Sequence, residues 1–513
     1  MILKPTLRQL LAGGADDAIA IAAPSMPPLT FSDLRAQISD TVDALNRVGV
    51  GLNDRLAIVL PNGPGMASAF LAVAAGAAAA PLNPAYREDE FAFYLSDLRA
   101  KALIVAAGAD SPAIGVASRL GIPTITLDST GQREAGRFRL DVNALPAAAP
   151  ERGGFGEAND IALILHTSGT TSRPKIVPLS QANICASACN VSDTLQFSPR
   201  DRGLAIMPLF HIHGLIAGIL APLSAGSAVF CPPGFNALKF FSWMEEYHPT
   251  WYTAVPTMHQ TILARAAQNR AIIQASPLRF IRSSSASLPP KVFAELEATF
   301  GAPVIESYGM TEAAHQMASN PLPPRQRKLG SVGIAAGPQI AIMAQDGSLL
   351  PTGQIGEIVI RGDNVTAGYE NNPEANREAF TNGWFRTGDQ GIIDTEGFLS
   401  ITGRLKEIIN RGGEKISPRE VDEVLMDHPA VYQAVTFAIP HDKLGEEVAA
   451  VVVSRDGVTV TERELRDFVR SRLAEFKVPR RIVFVSEVPK GATGKLQRIG
   501  LAEKLGLVST VAK

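Results

Sequence analysis

Between Thr30 and Val48 the apolar residues recur at helical spacing, and Thr30 with Asp33 three residues on can cap the start of that helix. Arg55-Leu-Ala-Ile-Val-Leu60 then runs almost wholly apolar until Pro61-Asn62-Gly63 stops it, as a strand buried on both faces does. The alternation continues through an alanine-rich helical stretch, a strand at Ala79–Leu82, a helix around Glu88–Leu98 and a strand at Ala102–Ala106. Strands alternating with helices predict parallel sheets covered on both faces. No fixed-period repeat is visible.

From about residue 340 the pattern changes. Ile340–Met343, Gly356–Arg361 and Gly391–Asp394 are short strand-like runs broken by Gly, Asp and Pro, which suits a small, more antiparallel β unit. A second change follows Gly403-Arg404-Leu405-Lys406: residues 418–428 and 461–474 read as amphipathic helices, Ala434–Ile439 and Val448–Val453 as strands. A tail of this length can form a lobe of its own. The expected fold class is therefore α/β: a large N-terminal body (1–403) with helix-covered, mostly parallel sheets and a small β unit, plus a mobile C-terminal α+β lobe (404–513).

Composition narrows the function. With 513 residues, 48 basic against 50 acidic and a net charge of −2, the chain lacks the basic excess of a dedicated nucleic-acid binder. Its length suffices for a core without disulfides or structural metals. The three cysteines, Cys185, Cys189 and Cys231, form no CxxC pair, so they read as small buried hydrophobes in a reducing compartment. The start has too short an apolar run for a secretory signal, and Met66–Pro81 falls short of the ~20 apolar residues a spanning helix needs. The tail is no peroxisomal address. The expectation is a cytoplasmic protein with no nucleic-acid or membrane partner, monomeric or homodimeric.

The sharpest local signal is the strand Ile161-Ala-Leu-Ile-Leu165 running into His166-Thr-Ser-Gly-Thr-Thr-Ser-Arg-Pro-Lys175. Backbone N–H groups around Gly169 can form an anion nest, and the hydroxyls add donors that suit a polyphosphate. The spacing is not that of a Walker A loop. The same residues also make a solvated turn, and composition alone does not separate the two readings.

This segment resembles the phosphate loop of the adenylate-forming superfamily of acyl-CoA synthetases, luciferases and peptide-synthetase adenylation domains. His166 stands in place of the usual aromatic and Ser172 in place of a glycine. Further motifs similar to the family's follow in its order: Met207-Pro-Leu-Phe-His-Ile-His-Gly214, Glu306-Ser-Tyr-Gly-Met-Thr-Glu312, Trp384-Phe-Arg-Thr-Gly-Asp389, Gly403-Arg-Leu-Lys-Glu407, Arg411-Gly-Gly-Glu-Lys-Ile-Ser-Pro418 and Pro489-Lys-Gly-Ala-Thr-Gly-Lys495. The resemblance covers nearly the whole chain. It implies an ATP-dependent acid–CoA ligase working in two steps through an acyl-adenylate, with ATP, Mg²⁺ and coenzyme A as cofactors and a small-molecule acid as substrate.

The resemblance also implies roles. Thr167, Ser168, Gly169, Thr170, Thr171 and Lys175 would hold phosphates; Ser287, Glu306, Ser307, Tyr308 and Gly309 would surround the nucleotide, with the Tyr308 ring as a face for adenine. Thr311 would donate to the α-phosphate and Glu312 would hold Mg²⁺, which accepts one carboxylate plus phosphate oxygens. Asp389 would accept the ribose hydroxyls and Arg404 would reach ribose and phosphates. Lys406 would be the hinge, near 404–406. Gly412 and Gly413 would line the coenzyme A channel, and His211 would lie between acyl pocket and thiol. Lys495 would stabilise the phosphoryl charge that develops during adenylation. Outside this context most of these side chains read blandly, as turn residues, caps or solvated surface.

The acid is read from pocket polarity. Arg282-Ser-Ser-Ser-Ala-Ser-Leu288 occupies the family stretch that lines the acyl pocket, and His315 follows the Thr-Glu pair by three residues. Aliphatic acids call for apolar walls; Ser285 and His315 suit a small dianion. Ser283–Leu288 and Glu306–Pro321 resemble oxalate–CoA ligases, and Ser307 stands where malonate ligases of the family carry an arginine. Oxalate therefore ranks above malonate, short-chain and coumarate-like acids. Transfer of the acyl group to an acceptor other than coenzyme A is a further alternative. Intact Lys495, Glu312 and Asp389 speak against a nucleotide binder without catalysis.

Overall fold

The computed structural model describes residues 4–167, 174–489 and 498–507. The chain packs as two compact units. The first holds the described residues up to Thr167 together with Pro174–Ile340 and Ile360–Phe385; the second holds Ala341–Val359 and the described residues from Arg386 onward. Packing thus groups residues 341–359 and 386–403 with the C-terminal stretch, whereas the expected division at 403/404 concerns rotation, a different property.

Two sheets build the first unit, and the predicted alternation is their origin. One has seven strands in the order Arg139–Asp141, Thr124–Asp128, Ala102–Ala106, Arg55–Val59, Ala78–Pro81, Ile161–Thr167, Lys175–Ser180. Its interior pairs are parallel and its two outermost pairs antiparallel. Helix Phe31–Asn46 precedes its first strand in sequence, and helices Pro64–Ala74, Glu88–Leu98 and Pro112–Arg119 fall between its strands. Thr30 caps the first of these as its sequence predicts: its hydroxyl oxygen accepts from the Asp33 N–H at 3.1 Å. The apolar stretch 66–81 divides into a helix, Pro64–Ala74, and a strand, Ala78–Pro81. Among the described residues no helix is long and apolar enough to cross a membrane.

The other sheet has nine strands, centred on the parallel run Ala228–Phe230, Arg202–Leu204, Trp251–Ala254, Phe280–Ser283, Val304–Met310. His315–Ser319 and Ile334–Ala335 extend it antiparallel at one edge; Ile19–Ala23 and Met26–Thr30 extend it at the other. Trp251, Tyr252, Phe280 and Arg282 are among its fully buried side chains. Burying each large apolar side chain contributes about 1.5–3 kcal/mol. Cys185 and Cys189 lie one turn apart on the helix Gln181–Leu195, and burial pushes the Cys231 thiol up to about 12, so these are packing residues rather than nucleophiles.

His259, on the helix Pro256–Ala266, is fully buried beside the Tyr252 hydroxyl at 3.2 Å. Burial drives its pKa from 6.5 down to about 3. Because the folded pKa is depressed, the unfolded chain binds the proton first, and stability present above pH 6.5 is lost as pH falls below it. This one site accounts for about 1.4 kcal/mol per pH unit between the two pKa values. His259→Leu is expected to flatten the acid side of the stability curve between pH 6.5 and 4.5; parallel curves for the two proteins, followed by denaturant unfolding, would reject the assignment.

In the second unit, strands Glu414–Ile416, Ile409–Arg411, Gly445–Ser454, Val431–His441 and Arg481–Phe484 form a sheet packed against helices Pro418–Asp427 and Glu462–Arg470. Gly412 and Gly413 are the two turn residues of the hairpin joining its first two strands. Both have positive φ, 60° and 100°, which a two-residue hairpin turn demands and side chains resist.

Candidate active site

The two strands that flank residues 168–173 are paired. Strand Ile161–Thr167 pairs antiparallel with Lys175–Ser180, so Thr167 stands opposite Lys175. Ser168, Gly169, Thr170, Thr171 and Ser172 lie outside the described residues. His166 fills the place of an aromatic ring: its edge meets Tyr94, with centroids 4.8 Å apart, and its Nε2 is 2.9 Å from Asp97 Oδ2. Burial lowers its pKa, against the opposing pull of Asp97.

Lys175 sits with its Nζ 4.4 Å from the centre of the Tyr369 ring. The Tyr369 hydroxyl donates to Glu312 Oε1 at 2.8 Å, a charge-assisted bond that fixes the carboxylate. Burial and the neighbouring Glu312 both raise the Tyr369 pKa, so it stays a donor. Glu312 itself is buried in the turn Thr311–Ala313 that follows strand Val304–Met310. Its neighbours on that strand are also pinned: Glu306 Oε1 accepts from the Leu288 N–H at 3.2 Å, and the Ser307 hydroxyl donates to Ser283 O at 3.3 Å. Tyr308 is 9% exposed, and Ser287 is half-buried in the loop after strand Phe280–Ser283.

Ser285 and His315 meet around a histidine. His213 opens the π-helical segment His213–Leu220 and is buried. Its Nδ1 lies 3.0 Å from Ser285 Oγ, its Nε2 lies 2.6 Å from Thr253 Oγ1, and its ring stacks on His315 at 4.8 Å and 17°. Ser285 and His315 both hold positive φ, 71° and 102°. Such backbone costs about 1–3 kcal/mol each in non-glycine residues and clusters at functional sites. A close approach makes this possible: a Cβ on Gly309 would stand 1.7 Å from His315 O, so only glycine fits opposite. Behind His213, the fully buried Arg282 places one guanidinium nitrogen 3.4 Å from His213 Nε2 and the other 3.2 Å from Gln316 Oε1. Burial lowers the Arg282 pKa to about 9, which leaves it cationic at neutral pH. His211 is half-buried against Phe210, with ring centroids 4.5 Å apart.

In the second unit, Asp389 and Arg404 stand directly opposite on antiparallel strands Trp384–Ile393 and Leu399–Arg404, and Arg404 Nε donates to Asp389 Oδ1 at 2.8 Å. The preceding turn is fixed by Glu357, whose Oε1 accepts from the Gly388 N–H at 3.0 Å. Lys406 is exposed in the short turn Leu405–Glu407. Lys495 lies outside the described residues. Three residues on, Arg498 is bonded to Glu407 at 3.0 Å and Asp422 at 2.7 Å.

The profile of the AMP-binding enzyme family matches residues 12–370, and that of the AMP-binding enzyme C-terminal domain matches residues 420–495. The chain belongs to the AMP-binding enzyme family. It is 46% identical to an oxalate–CoA ligase of Arabidopsis thaliana over 91% of this chain and 92% of that one. It is 43% identical to an oxalate–CoA ligase of Saccharomyces cerevisiae over 88% and 86%. ATP-bound MatB from Rhodopseudomonas palustris superposes with a TM-score of 0.88 at 30% identity, covering 98% of this chain and 99% of that one. The AMP-binding enzyme described here is thus an acid–thiol ligase that forms acyl-CoA through an acyl-adenylate, in the expected α/β fold with a small C-terminal α+β domain.

Sequence reasoning placed Ser285 and His315 in one pocket but passed over the residues that join them, His213, Thr253, Arg282 and Gln316. The Phe-His211-Ile-His213 spacing held the only signal, since two histidines two apart cannot share one environment once a helix begins between them. Tyr369 was missed too, because Glu312 lies 57 residues away in sequence.

Proposed function

We propose that this AMP-binding enzyme activates oxalate: oxalate and ATP give oxalyl-AMP and pyrophosphate, and coenzyme A then displaces AMP to give oxalyl-CoA. The observation that carries this reading is the stacked, buried pair His213 and His315 with Ser285 at its edge. An aliphatic tail would bury its carbons against these polar groups with no gain, whereas a second carboxylate finds donors there. The two relatives named oxalate–CoA ligases support the same substrate.

In this reading Ser285 and His315 hold the carboxylate that does not react, and His211 stands between the acyl pocket and the entering thiol. Thr167 to Thr171 and Lys175 take the phosphates, Ser287 and Glu306 to Gly309 surround the nucleotide base, and Thr311 donates to the α-phosphate. Glu312 is a single buried carboxylate oriented by Tyr369, which fits Mg²⁺ held by one protein oxygen donor plus phosphate oxygens. Bound there, Mg²⁺ would neutralise phosphate charge. Asp389 accepts the ribose hydroxyls with Arg404 holding its other side, and Lys495 meets the charge that builds on the α-phosphate. For thioester formation the C-terminal lobe rotates about Lys406 and presents Gly412 and Gly413 to the pantetheine arm.

The test is a panel of oxalate, malonate, acetate and coumarate, assayed for pyrophosphate release with and without coenzyme A. The expected result is ATP-dependent turnover highest on oxalate, with release that continues past one equivalent only when coenzyme A is present. Preference for acetate or coumarate would reject the dianion pocket, and continued turnover without coenzyme A would reject the acceptor.

A further inference from the structure

Arg282 is fully buried on the strand Phe280–Ser283, yet among the described residues no carboxylate pairs with it, and its Nε has no hydrogen-bond partner. A guanidinium kept from water without a counter-charge costs several kcal/mol, so the fold retains it for something other than stability. Its two bonded contacts are neutral: Gln316 Oε1 and His213 Nε2. Gln316 is held in turn, its amide nitrogen donating to Thr194 Oγ1 and Ala336 O, both at 3.1 Å, so its oxygen is fixed toward the guanidinium.

These contacts assign the hydrogens of the pocket. A guanidinium only donates, so its approach to His213 Nε2 is attractive when that nitrogen carries a lone pair. The proton then sits on Nδ1, where it donates to Ser285 Oγ at 3.0 Å. With its oxygen accepting from the imidazole, the Ser285 hydroxyl directs its own hydrogen onward, as a donor. The strained φ of Ser285 holds the hydroxyl in that place.

We propose that Arg282 is a positioning residue that fixes a one-way donor chain, Arg282 to His213 to Ser285, and thereby makes the pocket select acids bearing a second anionic group over equally sized acids bearing a neutral one. The proposal rests on the acid-pocket reading above and extends it to a residue that need not touch the substrate. The uncompensated charge of Arg282 gives the chain its direction and leaves the counter-charge to be supplied by the acid.

The experiment compares oxalate with oxamate, which replaces the second carboxylate by an amide of the same shape. Discrimination is the ratio of kcat/KM on the two. In the wild type that ratio should favour oxalate; in Arg282→Met it should fall by about 100-fold, the scale on which a buried charged hydrogen-bond partner is lost, with the KM for ATP unchanged. Arg282→Lys should restore at least about a tenth of the lost discrimination, because it keeps the charge without the fork. Should Arg282→Met fail to fold, Ser285→Ala tests the same chain from its half-buried end and should lower the ratio comparably. Where both fold, the double variant should lose little more than either alone, as members of one chain do. Equal losses on both acids, a ratio untouched by Ser285→Ala, or additive losses in the double variant would overturn the proposal. If the wild type prefers malonate, the oxalate reading falls, and malonate with malonamate replaces the pair; a wild type that favours the amide in both pairs overturns the role of Arg282 itself.

Discussion

Lys495→Ala is expected to lower acyl-adenylate formation by about 10²–10³-fold while leaving thioester formation from supplied acyl-adenylate within a few-fold of wild type. The reason is charge. When a carboxylate attacks the α-phosphorus of ATP, two anions approach and negative charge accumulates on the phosphoryl oxygens. A lysine ammonium aimed there stabilises the transition state more than the bound reactants. In the second step the phosphoryl group only leaves as AMP, and the same cation has no comparable work. Arg498, three residues beyond Lys495 in sequence, is tied to Asp422 and to Glu407, the residue that follows Lys406. Rates of pyrophosphate release and of AMP release from synthetic acyl-adenylate measure the two steps separately. Equal losses in both would reject a role confined to adenylation.

Glu312→Gln should be nearly as severe, at about 10²-fold in adenylation, and Tyr369→Phe milder, at about 10-fold. The substitution to glutamine keeps the size of the side chain and its bond to the Tyr369 hydroxyl but removes the charge that a phosphate-bound divalent cation needs. Tyr369→Phe keeps the charge and loses its orientation. The two are told apart by titrating magnesium during pyrophosphate release. Glu312→Gln should need far more metal for half-maximal rate, whereas Tyr369→Phe should shift the rate more than the requirement. An unchanged magnesium dependence in Glu312→Gln would make the carboxylate a structural group, and the metal would then have to be held by substrate alone.

Much of the fold was legible because its signals are local. The helix Phe31–Asn46, the strands Arg55–Val59 and Ala102–Ala106 and the helix Glu88–Leu98 each follow from apolar spacing and a stop signal within the element. What the pattern missed is long-range. Strands Ile19–Ala23 and Met26–Thr30 join the nine-stranded sheet through a parallel pairing with Ala228–Phe230, some two hundred residues away in sequence, and no short window contains that partner. The split of residues 66–81 into an alanine-rich helix and a strand, by contrast, follows the expected alternation, with the strand at Ala78–Pro81 one residue earlier than expected.

The site divides along the same line. Sequence by itself determined the chemistry available: hydroxyls and a lysine around a strand end, a carboxylate at Glu312, an aspartate at 389 and an arginine at 404, serines and a histidine at Ser283–Ser285 and His315. Those readings rest on residue type and on neighbours a few positions away. Tertiary structure alone decided which of these groups touch. His213, Thr253, Arg282, Ser285, Gln316 and His315 come from separate strands and turns, yet they form one hydrogen-bonded and stacked cluster. The cost of a buried arginine depends on what surrounds it in space, and the tautomer of a histidine on which atoms lie at each nitrogen. Neither quantity exists until the sheet has brought its strands together.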